Sequence, residues 1–147
     1  VISDAGCPGI ADPGAEIVGM AQREGIQVTP LVGPSSILLT LIASGLNGQE
    51  FSFHGYLPKD RGERKKRLNG IVSAINRDSS SHLFMDTPFR NMNILEDVLN
   101  TCPGDMMLCI AKDITGEKEW IKTMTIQDWK KKRPELNKIP VMFALGH

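Results

Sequence analysis

The chain has 147 residues, of which 41% are hydrophobic and 23% charged, and its 17 basic and 17 acidic side chains cancel. Length and apolar content fit one ordinary domain or two small ones with a core, and the composition excludes disordered and collagen-like chains. The longest apolar stretch, residues 37–46, is far shorter than the roughly 20 residues of a membrane-spanning helix.

The neutral total hides an uneven distribution of charge. Residues 1–56 carry one base and five acids, a net charge of −4, whereas residues 57–147 carry 16 bases and 12 acids, a net charge of +4. Six of those bases lie between Lys59 and Arg67, and a second basic run occupies residues 130–133. Such a run is either a solvated helix face or a surface for a polyanion.

The first residues look like the end of a buried strand, without an initiator Met or the regions of a signal peptide. We therefore expect a fragment of a longer protein. The odd number of cysteines, without CxxC spacing, favours reduced thiols in a cytoplasmic protein. Three scattered histidines give no metal-ligand spacing, so no metal site is predicted.

Strand and helix patterns alternate along the chain, which predicts α/β layers. The first third has an amphipathic helix over about 15–24, a strand at 26–31 and a buried helix from the serines at 35 and 36 to Ser44. A polar break at 46–50 is the best candidate for a domain boundary. The later pattern predicts strands at 51–56, 83–85, 106–111, 120–125 and 141–145, and helices at 62–76, 88–100 and 126–132.

Two clusters of turn residues, 3–14 and 32–36, each join a predicted strand to a helix. Ligands bind at such junctions in open α/β sheets, and small residues let a ligand approach the backbone. Neither cluster is a GxGxxG or phosphate-loop motif. The first could equally be two consecutive tight turns, and Ser35 could be a helix cap.

Two acids, Asp86 and Asp113, follow predicted strands. Acids and small residues at strand ends are typical of a cleft to which a second domain contributes.

Taken in order, these clusters resemble the tetrapyrrole methylase superfamily, and most closely its ribosomal RNA small-subunit methyltransferase I branch. The family pattern SDAGTPxISDPG is matched by residues 3–14, and PGPSA by residues 32–36. The later patterns ASGL, F.F.GFLP, YEAPHR and ARELTK are matched by residues 43–46, 51–58, 85–90 and 111–116.

The resemblance implies a cytoplasmic, usually homodimeric enzyme that methylates a cytidine ribose 2′-hydroxyl of small-subunit ribosomal RNA with S-adenosylmethionine. It implies an α/β, two-domain, tetrapyrrole-methylase-like architecture with the donor between the domains. Residues 1–48 would be the C-terminal part of a truncated donor-binding domain with a parallel sheet. Residues 49–147 would be a second domain with a mixed sheet and helices. A TPIGN-type loop of the family would lie upstream, so this fragment alone is expected to be inactive.

The resemblance also implies roles for individual residues. Asp86 is the candidate base that removes the proton of the ribose hydroxyl. The expected donor-binding residues are Ser3, Asp4, Ala5, Gly6, Pro8, Pro34, Ser35, Thr87, Pro88, Asp113, Ile114 and Thr115. The expected RNA-binding residues are Arg61, Arg64, Lys65, Lys66, Arg67 and Arg90. Neither a metal ion nor a membrane is an expected partner.

In the first two motifs this chain departs from the family pattern at Cys7, Ala11, Val32 and Ser36, which replace Thr, Ser, Pro and Ala. In the later motifs Asp86 replaces a Glu, Phe89 a His, Asp113 a Glu and Gly116 a Lys. Substrate recognition is expected there, so two alternatives stay open. One is a methyltransferase that acts on a tetrapyrrole of the precorrin or uroporphyrinogen kind, and the other is a non-catalytic binding module with the same fold.

Overall fold

The computed structural model describes Ile2 and residues 7–147, which form two compact units, residues 1–36 and 37–147. The helices are α1 (Ala15–Arg23), α2 (Ser36–Ser44), α3 (Arg61–Asp78), α4 (Asn91–Thr101) and α5 (Ile126–Lys131). The strands are β1 (Phe51–Tyr56), β2 (Ser81–Met85), β3 (Met107–Lys112), β4 (Trp120–Thr125) and β5 (Val141–Gly146).

The second unit contains a mixed five-stranded sheet with the strand order β1-β2-β5-β3-β4. Strands β1 and β2 are parallel, whereas β5 runs antiparallel to both β2 and β3, and β4 runs antiparallel to β3. Strands β1, β2 and β3 therefore share one direction and end at the same edge of the sheet, here called the carboxyl edge. The predicted α/β class with a mixed sheet is confirmed.

Hydrophobic clusters form on both faces of this sheet because its strands are buried on both sides. The larger cluster joins the buried side chains of α3, α4 and α5 to the sheet, where the rings of Phe84 and Phe143 stack with centroids 5.6 Å apart. On the other face, Leu41 of α2 joins a smaller cluster with Leu83 and Ala144. The loops at the carboxyl edge therefore extend from a sheet that is packed on both faces.

Helix α3, which carries most of the predicted basic residues, has clear start and stop signals. The Asp60 carboxylate accepts a hydrogen bond from the Glu63 amide at 2.9 Å and caps the first turn. The helix ends at Asp78 and is followed by Ser79, a C-cap residue with a left-handed backbone (φ 56°). Its apolar residues Leu68, Ile71 and Ile75 lie on one face, which is buried against the sheet.

In the first unit, α1 has no buried residue, and the strand predicted at 26–31 is not formed. That prediction is wrong because a strand needs a neighbour for its backbone groups, and the described residues of this unit contain no second strand. The strand predicted at residues 1–3 lies outside the described residues except for Ile2. The compact units divide the chain between residues 36 and 37. The predicted domain boundary between residues 48 and 49 stays a prediction.

Candidate active site at the carboxyl edge

Two of the loops predicted to bind a ligand leave the sheet at its carboxyl edge. Residues 86–90 follow β2, residues 113–119 follow β3, and β5 lies between these two strands. Open α/β sheets bind ligands outside the carboxyl ends of their parallel strands. The geometry thus brings the two predicted segments to one place in the second unit.

Asp86 is the buried acid of the turn after β2. Its Oδ1 atom accepts a hydrogen bond from the Thr87 amide at 2.6 Å and lies 2.5 Å from Nη2 of Arg90. The Arg90 amide donates to the Thr87 carbonyl at 2.9 Å, which closes the turn. One carboxylate oxygen of Asp86 is therefore fully committed to holding the turn together.

The same turn concentrates buried polar atoms that have no hydrogen-bond partner. Among the described residues there are four such side-chain atoms, and three of them are Oδ2 of Asp86, Nη1 of Arg90 and Oδ1 of Asn91. An unpaired buried polar group costs free energy, so several in one turn are unusual and often mark a functional site. Asp86 and Arg90 thus keep one acceptor and one donor unpaired beneath the surface of the carboxyl edge.

The loop after β3 is folded tightly around the Asp113 carboxylate. Asp113 and Thr115 have left-handed backbones (φ 51° and 65°), and the Lys118 amide donates to Oδ2 of Asp113 at 2.8 Å. The Thr115 amide donates to Oε2 of Glu119 at 2.7 Å. The carboxylate of Asp113 lies so close to Gly116 that a Cβ atom there would collide with it. The lysine of the family pattern therefore does not fit at residue 116 while Asp113 keeps this position.

The segment before β5 holds these two loops at a fixed spacing. The Asp113 amide donates to the Pro140 carbonyl at 2.9 Å, and the Lys138 amide donates to the Pro88 carbonyl at 3.1 Å. The Asn91 side chain also donates to the Ile139 carbonyl at 2.7 Å. Asp86, Thr87 and Pro88 are thereby tied to the Asp113 loop through one short stretch of backbone.

Arg64, which we expected to bind RNA, is buried and forms its contacts with other residues of this chain. Its side chain is 7% exposed and lies 2.5 Å from Asp97 of α4, and its Nη1 donates to the carbonyls of Pro58 and Lys59, each at 2.9 Å. Arg64 lies four residues before the next buried position of α3, Leu68, and this helical spacing could have predicted its burial. We therefore leave Arg64 out of the proposed RNA-binding surface.

The other predicted RNA-binding residues of α3 lie on its exposed face. Lys65, Lys66 and Arg67 are exposed, and Arg61 is exposed while its Nε donates to Asp97 at 2.9 Å. Arg90 belongs instead to the turn after β2, where it is paired with Asp86.

In the first unit, the two predicted donor loops contact each other. Cys7 Sγ donates to the Pro34 carbonyl at 3.6 Å, so the turn at Pro8 lies close to the segment with Pro34 and Ser35. Pro8 and Pro34 are exposed, whereas Ser35 is buried. The predicted donor residues Ser3, Asp4, Ala5 and Gly6 lie outside the described residues.

Two histidines that the sequence pattern left scattered come together in the second unit. The Nε2 atom of His54 lies 2.7 Å from Nδ1 of His82, and the two parallel rings lie edge to edge with centroids 5.0 Å apart. This contact depends on the parallel register that places Ser52 beside His82. The two histidines are 28 residues apart in the sequence, so a local sequence pattern could not predict the contact. The described residues contain no group of three potential metal ligands, and none of their helices is long and apolar enough to cross a membrane.

The amino-acid sequence of the chain is similar to those of curated proteins that share one name. It is 34% identical over 128 residues to the ribosomal RNA small subunit methyltransferase I of Vibrio cholerae, covering 87% of this chain and 43% of that protein. It is 33% identical over 148 residues to the protein of the same name from Thermotoga maritima, covering 98% of this chain and 64% of that protein. The chain thus spans about half the length of these curated relatives. The predicted resemblance is confirmed, although no protein-family model matches the chain.

The fold is similar to that of the methyltransferase CobJ. The solved structure of that protein aligns with a TM-score of 0.64 and 17% identity, over 97% of this chain and 62% of that one. This likeness confirms the predicted tetrapyrrole-methylase-like α/β fold.

Proposed function

We propose that the protein is an S-adenosylmethionine-dependent methyltransferase that methylates a cytidine ribose 2′-hydroxyl in small-subunit ribosomal RNA. The sequence relatives are named as small-subunit ribosomal RNA methyltransferases, and the fold is that of a solved methyltransferase. The observation that carries the proposal is the pair of unpaired polar atoms on Asp86 and Arg90, buried where the sheet ends.

The carboxyl edge supplies part of the proposed donor site. S-adenosylmethionine, when bound, supplies an electrophilic methyl group. In the second unit we propose that Thr87, Pro88, Asp113, Ile114 and Thr115 contact the donor, because their loops are rigidly held at the edge where such sheets bind ligands. In the first unit the proposed donor residues remain Ser3, Asp4, Ala5, Gly6, Pro8, Pro34 and Ser35.

Asp86 is the proposed general base. A ribose hydroxyl must lose its proton as it attacks the methyl group, and a carboxylate within hydrogen-bond distance can accept that proton. Oδ1 of Asp86 is occupied by the Thr87 amide and Arg90, whereas Oδ2 has free lone pairs. Arg90 fixes the direction of the carboxylate, and its unpaired Nη1 can donate to the same hydroxyl oxygen.

The exposed bases of α3 are the proposed RNA contacts. Arg61, Lys65, Lys66 and Arg67 present positive charge to solvent on one helix, which suits a phosphate backbone. We place Arg90 at the reacting end of the RNA rather than on this face, because it is bound to Asp86. Homodimer formation and a cytoplasmic location complete the proposal.

The test combines donor binding with product analysis. Calorimetric titration of the full-length protein with S-adenosylhomocysteine should show a single site, and the full-length protein should transfer labelled methyl to small-subunit ribosomal RNA from a strain that lacks this modification. Nucleoside analysis should then recover 2′-O-methylcytidine. Methylation of a carboxylate-rich tetrapyrrole with none of RNA would reverse the substrate assignment, and absence of donor binding would support the non-catalytic alternative. Sedimentation of the protein tests the dimer.

A further inference from the structure

A chain of hydrogen bonds runs from helix α3 across β1 to the residues that precede β2. Nη2 of Arg67 lies 2.7 Å from Nδ1 of His54, and Nε2 of His54 lies 2.7 Å from Nδ1 of His82. Nε2 of His82 lies 2.9 Å from Oγ of Ser80, which donates to Oδ1 of Asp78 at 2.5 Å. Five side chains are thus linked in one sequence.

The chemistry of the end groups fixes the direction of every bond in this chain. A guanidinium only donates, so Nδ1 of His54 accepts and the proton of that ring is on Nε2. His54 therefore donates to Nδ1 of His82, whose own proton is on Nε2 and points to Ser80. Because Ser80 donates to the Asp78 carboxylate, its oxygen is free to accept from His82. All five members are satisfied only when both imidazole rings are neutral.

The surroundings of the two rings favour the neutral form. Burial, followed by the nearby Arg67 and His82, lowers the pKa of His54 from 6.5 to about 4. Burial is also the main reason why the pKa of His82 is lowered, with Asp78 opposing it and Arg67 and Arg77 adding to it. Both rings are therefore uncharged at neutral pH.

A neutral partner makes Arg67 different from the neighbouring arginines. Arg61 and Arg64 are paired with Asp97, Arg77 with Asp78, and Arg90 with Asp86. Of the five arginines between residues 61 and 90, all in the described part of the chain, Arg67 is the one held by an uncharged acceptor instead of a carboxylate. Its guanidinium is thus oriented while its positive charge is left uncompensated.

We propose that His54, supported by His82, is a positioning residue that presents the Arg67 guanidinium to an RNA phosphate. The inference rests on the proposed function, because RNA is the polyanion that the exposed face of α3 would bind. A carboxylate in place of His54 would fix the side chain equally well but would neutralise it. A free arginine would keep its charge but lose side-chain entropy on binding, which weakens the contact.

The test is a double-mutant cycle on binding of a fluorescein-labelled RNA oligonucleotide, measured by anisotropy over a range of salt concentrations. Arg67→Ala should weaken binding and lower the salt slope by about one phosphate contact. His54→Phe keeps an aromatic ring at this position but removes the acceptor, and should weaken binding about fivefold, as expected for one lost hydrogen bond. The double variant should bind no more weakly than Arg67→Ala, because His54 acts through Arg67.

Two further variants separate positioning from a structural role. His54→Asn places its Oδ1 near the position of Nδ1, so it should retain most of the RNA affinity even though it loses the bond to His82. Arg133→Ala is the control, because this exposed arginine carries the same charge but lies outside α3 and outside the hydrogen-bond chain. The His54 ring in the wild-type protein should show the neutral Nε2–H tautomer in nitrogen NMR spectra at pH 7.

The outcomes distinguish this inference from the function on which it rests. Unchanged RNA binding by His54→Phe, or effects of His54→Phe and Arg67→Ala that add, would overturn the positioning role alone. Absence of RNA binding by the wild-type protein would overturn both the RNA substrate and the positioning role.

Discussion

Asp86 is the residue on which the proposed chemistry depends most directly. Asp86→Asn keeps an oxygen for the Thr87 amide but removes the charge and the basic lone pairs, so methyl transfer should fall by about 100-fold or more. Affinity for S-adenosylhomocysteine should change little, and a calorimetric titration beside the transfer assay measures both.

The control for Asp86→Asn is Asp105→Asn, the same loss of charge at an exposed aspartate in the turn before β3. It should leave the rate of proton removal intact. Transfer by Asp86→Asn at the wild-type rate would exclude Asp86 as the base.

Arg64 and Arg61 share Asp97 as a partner but differ in burial, and this difference predicts unequal effects on stability. Arg64→Ala leaves a buried carboxylate and two loop carbonyls without their main donor, so the free energy of unfolding should fall by about 3 kcal/mol. Arg61→Ala should cost less than about 1 kcal/mol, because the Arg61 side chain is 69% exposed and its ion pair is screened by water. Urea denaturation of both variants tests the ranking, and equal losses would contradict the structural role of Arg64.

At the scale of single residues, the sequence predicted where the candidate acids lie in the fold better than it predicted which side chains they contact. Asp86 and Asp113 were expected at strand ends, and they lie there. The pairing of Asp86 with Arg90 and the contact of His54 with His82 depend on a turn geometry and a strand register that no local pattern contains.

Helix α3 is the element that the proposal assigns to RNA. Replacing Lys65, Lys66 and Arg67 together by Ala should weaken RNA binding and reduce the slope of log affinity against log salt by about two to three. The free energy of unfolding should change little, because all three side chains are exposed. A salt slope equal to that of the wild-type protein would identify this face as a solvated surface with no RNA contact.

Most elements of the second unit could be predicted because their apolar residues recur at helical or strand spacing. Boundaries were less accurate where polar residues are buried. Strand β2 begins at Ser81 and not at Leu83, because Ser81 and His82 are buried polar residues that pair with β1. The strand predicted at 26–31 is not formed, because its apolar sequence has no neighbouring strand among the described residues of its unit.

At the scale of the whole molecule, the two units differ in how much core they contain. Every buried hydrophobic side chain found among the described residues is at Leu41 or later, in the second unit. We therefore expect a shortened chain that begins at Gly33 to unfold cooperatively, with a midpoint within a few degrees of the 147-residue chain. Thermal denaturation followed by circular dichroism measures this, and loss of cooperativity would show that the first 32 residues are needed for the core.

The crowding of Gly116 by Asp113 couples these two positions for anyone who redesigns this loop. The family pattern has a glutamate two residues before the threonine and a lysine after it, where this chain has Asp113 and Gly116. Gly116→Lys requires the Asp113 carboxylate to rotate away and to give up the hydrogen bond from the Lys118 amide. A library aimed at the family sequence should therefore vary the two residues together.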